Sequence, residues 1–130
     1  MSQKITWEQV GKSSKNTILS PAYTVGDLVF TAGALGTRKD GSFPDTIEEQ
    51  TVLALQNLGV VLKASGSSLE NVVKTLVFIK DIKDQPKMNN VYHSIMRHQP
   101  ARSCVAVTFP NAKVLVEVEA IATKVSKAKL

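Results

Sequence analysis

The sequence predicts a single α+β domain in which two helices cover one face of a mixed sheet. Three observations carry this expectation. The hydrophobic pattern alternates, switches to helical spacing, and returns to alternation twice along the chain. Both helical stretches follow strand-like ones, and right-handed crossovers then place both helices on the same side of the sheet. No internal repeat, low-complexity tract or linker divides residues 1–130, so one domain is expected. A chain of 130 residues can bury a core without disulfides or a structural metal.

Taken in order, residues 5–10 alternate weakly and are expected to form an opening strand, with a polar turn over 11–16. Residues 27–32 (Asp-Leu-Val-Phe-Thr-Ala) follow Gly26 and read as a clearer strand. It ends at Gly33, where a missing side chain would let a ligand or another backbone come close. Asp40-Gly41 marks a turn. At Thr46 the period changes. Thr46 with Glu49 three residues later fits a capping box, and Val52, Leu55, Leu58 and Leu62 repeat at helical spacing until Gly66.

Residues 68–71 read as one tight turn, after which Val73, Thr75, Val77 and Ile79 alternate with Lys74, Leu76, Phe78 and Lys80 as a strand. Asp84 is placed to cap a second helix with Pro86 in its first turn, and Met88, Val91, Tyr92, Ile95 and Met96 line one face. Residues 100–122 then supply two apolar, alternating runs, expected to pair antiparallel around Phe109-Pro110-Asn111-Ala112. The order is βββαβαββ. With both helices on one face the other stays uncovered, and residues 76–79 are apolar on both sides. Another subunit is therefore expected to cover it.

Composition excludes several function classes. The single Cys104 has no internal disulfide partner, and His93 and His98 form no ligand cluster, so neither a metal nor an oxidising compartment is expected. The net charge of +5 comes from scattered lysines with only a mild cluster at Lys124, Lys127 and Lys129. Together with aromatic residues at 5%, this argues against a nucleic-acid surface. No apolar run approaches the roughly 18 residues needed to span a bilayer, and no secretory or mitochondrial leader is expected. The ending Ala128-Lys129-Leu130 resembles a peroxisomal address. Cytoplasmic residence is expected, or peroxisomal residence for a eukaryotic source.

The final runs carry charges in segments expected to be buried. Arg102 lies in the first, Glu117 and Glu119 in the second. In an antiparallel hairpin of suitable register Arg102 and Glu117 share a face. Spacing leaves three readings open. They are a cross-strand salt bridge, a guanidinium clamp for a substrate carboxylate beside a water-positioning acid, and a phosphate contact on an RNA surface.

Four stretches together, Pro-Ala-Arg-Ser-Cys-Val (100–105), Val-Glu-Val-Glu-Ala-Ile-Ala (116–122), Val-Gly-Asp-Leu-Val-Phe-Thr-Ala-Gly (25–33) and Val-Lys-Thr-Leu-Val-Phe-Ile-Lys-Asp (73–81), resemble the Rid family, also called YjgF or L-PSP endoribonuclease-like. The resemblance runs from about residue 19 to 123. It implies a chorismate-mutase-like fold and a homotrimer whose sheets form an inner barrel, with sites in the clefts between subunits. It also implies cofactor-independent deamination of 2-imino acids of the 2-iminobutanoate and 2-iminopropanoate type, derived from enamines such as 2-aminoacrylate, to 2-keto acids and ammonia.

By the same resemblance, Arg102 is the carboxylate clamp and Glu117 orients the attacking water. Gly33, Asn89 and Cys104 line the substrate pocket, and Tyr23 does so more weakly. Where many members carry Ser-Gly-Gln, this chain has Ala32-Gly33-Ala34, and Tyr23 sits one residue late in a shortened segment. Glu119 is expected to accept a structural hydrogen bond. Two alternatives accompany the deaminase reading. One is an RNA-directed endoribonuclease or translation inhibitor; the other is a non-catalytic ligand-binding or chaperone-like trimer.

Overall fold

The computed structural model describes residues 1–14 and 16–125. Strands β1 (Ser2–Ile5), β2 (Ala22–Val25), β3 (Leu28–Thr31) and β4 (Ala34–Leu35) precede helix α1 (Ile47–Ala64). Strand β5 (Val72–Ile79), helix α2 (Gln85–Ile95), and strands β6 (Ala101–Ala106) and β7 (Val116–Thr123) follow. All strands join one sheet in the order β1-β2-β3-β7-β5-β6, and β4 pairs with β7 beyond the end of β3. Every pairing is antiparallel except β5 with β6, whose parallel alignment is made by the α2 crossover.

Alternation sets the two faces. In β7, Val116, Val118, Ala120 and Ala122 are buried while Glu117, Glu119 and Ile121 are half-buried. In β5, Thr75, Val77 and Ile79 are buried toward the same side. Against that side lie the buried residues of α1, among them Ala54, Leu55, Leu58 and Leu62, and Met88 and Tyr92 of α2. A β-bulge at Val73 shifts the β5–β7 register, which leaves Val73 exposed at an otherwise helix-shielded strand.

The other face is open and apolar. Tyr23, Val25, Leu28, Phe30 and Val105 are all exposed there, Leu28 and Phe30 at 39% each. Register brings Ile121 beside Phe30, with Leu76 and Phe78 further across on β5. Solvent contact over that much contiguous apolar surface is the mark of a protein interface. This is the uncovered face that the two-helix arrangement predicts.

Several boundaries differ from the sequence expectation. The opening strand lies earlier, at Ser2–Ile5, because Thr6 and Gln9 exchange side-chain to backbone hydrogen bonds that turn the chain after it. Strand β2 falls in a segment given no element, and the expected strand over 27–32 is trimmed to Leu28–Thr31, with the short β4 beyond it. Helix α1 begins as expected, with Thr46 accepting from the Glu49 N–H at 3.2 Å, and ends before Gly66 at φ +82°. Asp84 occupies the N-cap of α2 but its side chain makes no capping bond. Asp81 instead caps the preceding 3₁₀ turn by accepting from the Lys83 N–H.

The largest correction concerns the last two strands, which do not pair. Strand β5 lies between them, parallel to β6 and antiparallel to β7. The link over 107–115 therefore crosses the end of β5, held there by Val107 N–H to Ile79 C=O and by Lys80 N–H to Leu115 C=O.

Gln50 anchors this link. Fully buried in α1, its amide donates to Pro44 C=O at 2.9 Å and Lys113 C=O at 2.8 Å, and its carbonyl accepts from Leu115 N–H at 2.8 Å. Gln50→Leu keeps the volume and orphans three backbone groups, so it should destabilise the fold by about 3 kcal/mol or more. Urea denaturation followed by circular dichroism measures it.

Candidate active site

Arg102 lies on β6, the edge strand, aligned with Thr75 of β5, and Cys104 is aligned with Val77. Both side chains therefore share the helix-covered side, at its margin, where they are half-buried. The Arg102 Nη1–H donates to Asn89 Oδ1 at 2.8 Å, and its guanidinium carbon lies 4.9 Å from the centre of the Tyr92 ring. Asn89 and Tyr92 are three residues apart on α2 and so present one face to the arginine. The Tyr92 hydroxyl shares a hydrogen bond with Thr75 Oγ1 at 2.7 Å, which fixes the ring. Burial pushes the Tyr92 phenol above its ordinary value, against the opposing influence of that hydrogen bond and of the arginine charge.

The consequence is a cation held in place by neutral groups. An amide oxygen and an aromatic face orient the guanidinium without cancelling its charge. Its remaining N–H donors suit a planar, bidentate partner such as a carboxylate.

A second constellation forms on the open face. Glu117 on β7 is flanked in register by Phe78 of β5 and Leu35 of β4. Between β3 and β4 the chain leaves the ladder, and Thr31 Oγ1 takes over as acceptor for the Ala120 N–H at 3.0 Å. Gly33 sits in that gap. A Cβ added to it would overlap the carboxyl group of Glu117, so the glycine leaves room for this side chain rather than for a distant backbone. Burial raises the Glu117 pKa above the ordinary carboxylate range, and the neighbouring Glu119 charge raises it further.

The geometry brings Arg102, Asn89 and Cys104 together in one group, and Gly33 with Glu117 in another. It does not bring the two groups together within one chain. Arg102 and Glu117 point to opposite faces, with β5 between them and their register positions three residues apart on it, at Thr75 and Phe78. The expected shared face, and with it the cross-strand salt bridge, is therefore overturned.

Tyr23 joins neither group: it lies on β2 on the open face, opposite Phe30, whose β7 partner is Ile121 rather than Glu117. Glu119 also faces the open side, and its carboxylate accepts no hydrogen bond among the described residues, against the structural role expected of it. Tyr92 and Thr75 are functional neighbours that the sequence reading assigned to core and strand. The three-residue spacing from Asn89 was the available signal. Among the described residues no group of three or more His, Cys, Asp or Glu side chains could hold a metal.

A mixed sheet with two helices on one face, carrying a guanidinium on its edge strand beside Asn89 of the second helix, defines a small two-layer α+β domain. The chain belongs to the Rid/YjgF family: the family model described as endoribonuclease L-PSP matches residues 14–124. It is 41% identical over 104 residues to mmf2, a mitochondrial protein of Schizosaccharomyces pombe, covering 76% of this chain and 82% of that one. It is 35% identical over 105 residues to TdcF of Escherichia coli, named as a candidate reactive intermediate deaminase, covering 77% and 81%.

Solved structures agree. E. coli TdcF with bound serine superposes with a TM-score of 0.83 at 30% identity, over 95% of this chain and all of the other. The yeast protein YEO7 superposes with a TM-score of 0.85 at 32% identity, over 96% and 100%. Among the described residues no helix is long and apolar enough to cross a membrane, and the Ala128-Lys129-Leu130 ending lies outside them, as do Lys127 and Lys129 of the basic cluster.

Carboxyl NMR titration should find Glu117 deprotonating above the ordinary glutamate range. Glu119→Gln should lower that midpoint only in part, because burial is the larger cause. A raised native pKa means the folded state holds this proton more tightly than the unfolded chain. Its contribution to stability should therefore fall as pH rises through the window above the ordinary glutamate value.

Proposed function

We propose that the protein hydrolyses 2-imino acids, of the 2-iminobutanoate and 2-iminopropanoate type, to 2-keto acids and ammonia, without a cofactor and at sites shared between subunits of a trimer. The observation that carries this reading is the Arg102 group: a guanidinium oriented by Asn89 and Tyr92 with no carboxylate among its partners in the described residues. Such a group is built to receive an acid from outside. That TdcF, a reactive-intermediate-deaminase candidate by name, has been solved with serine bound is consistent with a small carboxylate ligand.

The two constellations lie on opposite faces, so their cooperation requires two chains. The open apolar face supplies the contact, and a head-to-tail arrangement lets Arg102 of one subunit face Gly33 and Glu117 of the next. In the reaction the substrate carboxylate would rest on Arg102, fixing the imine carbon against a water held by Glu117. As a carboxylate, Glu117 takes a proton from that water while the hydroxide oxygen adds to the carbon of the protonated imine and the C=N electron pair moves onto nitrogen. The protonated Glu117 then passes its proton to the carbinolamine nitrogen, the C–N bond breaks as the carbonyl forms, and the carbinol hydroxyl proton leaves with the ammonia as ammonium. A raised pKa makes Glu117 a stronger proton acceptor than an ordinary carboxylate, suited to take the proton and give it back.

A pyridoxal-phosphate serine or threonine dehydratase coupled to the protein should show accelerated loss of the imine, with Arg102→Ala at least about 100-fold slower. Failure of the wild type to accelerate, with RNA cleavage instead, would favour the endoribonuclease reading. Light scattering should give the mass of three chains. Co-refolding Arg102→Ala with Glu117→Gln should restore about a quarter of wild-type activity, since each head-to-tail interface then pairs an intact arginine with an intact glutamate in one arrangement of four. No restoration would show that both residues serve one chain or that one of them is dispensable.

A further inference from the structure

The segment that cradles Glu117 has a second side. Beyond Ala32, Gly33 and Ala34, on the helix-covered side, opens a cleft of about 710 Å³, closed opposite by the turn after β1 and by the flank of α1. Its walls include Trp7, Val10, Leu35 and Val60, the last 52% exposed although it sits mid-helix. Among the described residues Lys12 and Lys39 are its charged ones, and no acidic residue lines it. The Lys12 ammonium stands 6.0 Å from the centre of the Trp7 ring, whose indole N–H is committed to Leu19 C=O at 3.0 Å.

The cleft is preformed. The Asn57 side chain ties its floor to α1, donating to Leu35 C=O at 2.8 Å and to Thr37 C=O at 3.1 Å. Its size falls within the range of small-molecule sites, about 300–1,000 Å³, and its walls combine apolar surface with a few charges of one sign. An indole face and valine side chains accept a flat apolar body, while two ammonium groups without acidic competitors favour an anionic head.

We propose that this cleft binds a small carboxylic acid with an apolar, ring-sized body, the carboxylate between Lys12 and Lys39 and the ring against Trp7, Val10 and Val60. The site is separate from Arg102 and does not depend on the deaminase reading. Its wall is the strip that shapes the Glu117 pocket, so an occupant there would bear on Gly33 from behind.

Trp7 is the only tryptophan in the chain and reports directly on the cleft. The full-length protein titrated with phenylacetate at low salt should show a saturable change in tryptophan fluorescence at about millimolar concentration. Phenylacetamide, the neutral counterpart, should bind about 10-fold more weakly, and acetate should give no change. The double substitution Lys12→Gln with Lys39→Gln should weaken phenylacetate about 10-fold, and Val60→Glu, an independent variant at an exposed position, should abolish binding; circular dichroism reports the fold of each. Arg102→Ala should bind as the wild type does. No saturable signal, equal affinity for the amide, indifference to both sets of substitutions, or loss of binding in Arg102→Ala would each overturn the proposal.

Discussion

Strand β5 is placed between β6 and β7, parallel to one and antiparallel to the other, and much of the structure depends on that placement. The parallel pairing needs a crossover, which α2 supplies, and this puts α2 over the edge strand where Asn89 and Tyr92 reach Arg102. The antiparallel pairing sets β7 with Val116, Val118 and Ala120 toward the helices and Glu117 and Glu119 away from them. One insertion thus fixes the core and sends two charges of opposite sign to opposite faces of the sheet. It also spares each the partner that would have neutralised it.

The two charges are maintained by different physics. A guanidinium is a permanent cation, so the protein's task at Arg102 is to orient it, and a neutral amide with an aromatic face does so without quenching it. Glu117 can change its charge, and the sheet tunes it through half-burial between Phe78 and Leu35 and through the like charge of Glu119. The missing side chain at Gly33 makes room for that carboxyl group. The same strip of backbone, seen from behind, forms a wall of the cleft beside Trp7 and Lys12. A single irregular segment between two strands therefore borders both concave features.

Much of the fold was legible in the sequence. Thr46, Glu49 and Gly66 bracket α1 through capping chemistry that acts within a few residues, and the alternation in 73–80 shows a strand because burial follows backbone period. The open face was legible as well, since two helices on one side leave the other without cover. Strands β1 and β2 were less so, because pieces of four residues carry little periodicity. Asn89 bonds Arg102, and Tyr92 beneath the guanidinium read only as a core residue of α2.

The pairing of Arg102 with Glu117 marks the boundary between the two kinds of information. The sequence by itself determined which charged side chains stand within strands and which neighbours share a face within each strand. These follow from side-chain type and from a period of two that the backbone enforces locally. Which strand lies beside which was decided only by tertiary structure. Strand adjacency is settled by how α2 crosses over and how the 107–115 link spans the end of β5, long-range hydrogen bonds and packing that leave no periodic trace in the chain.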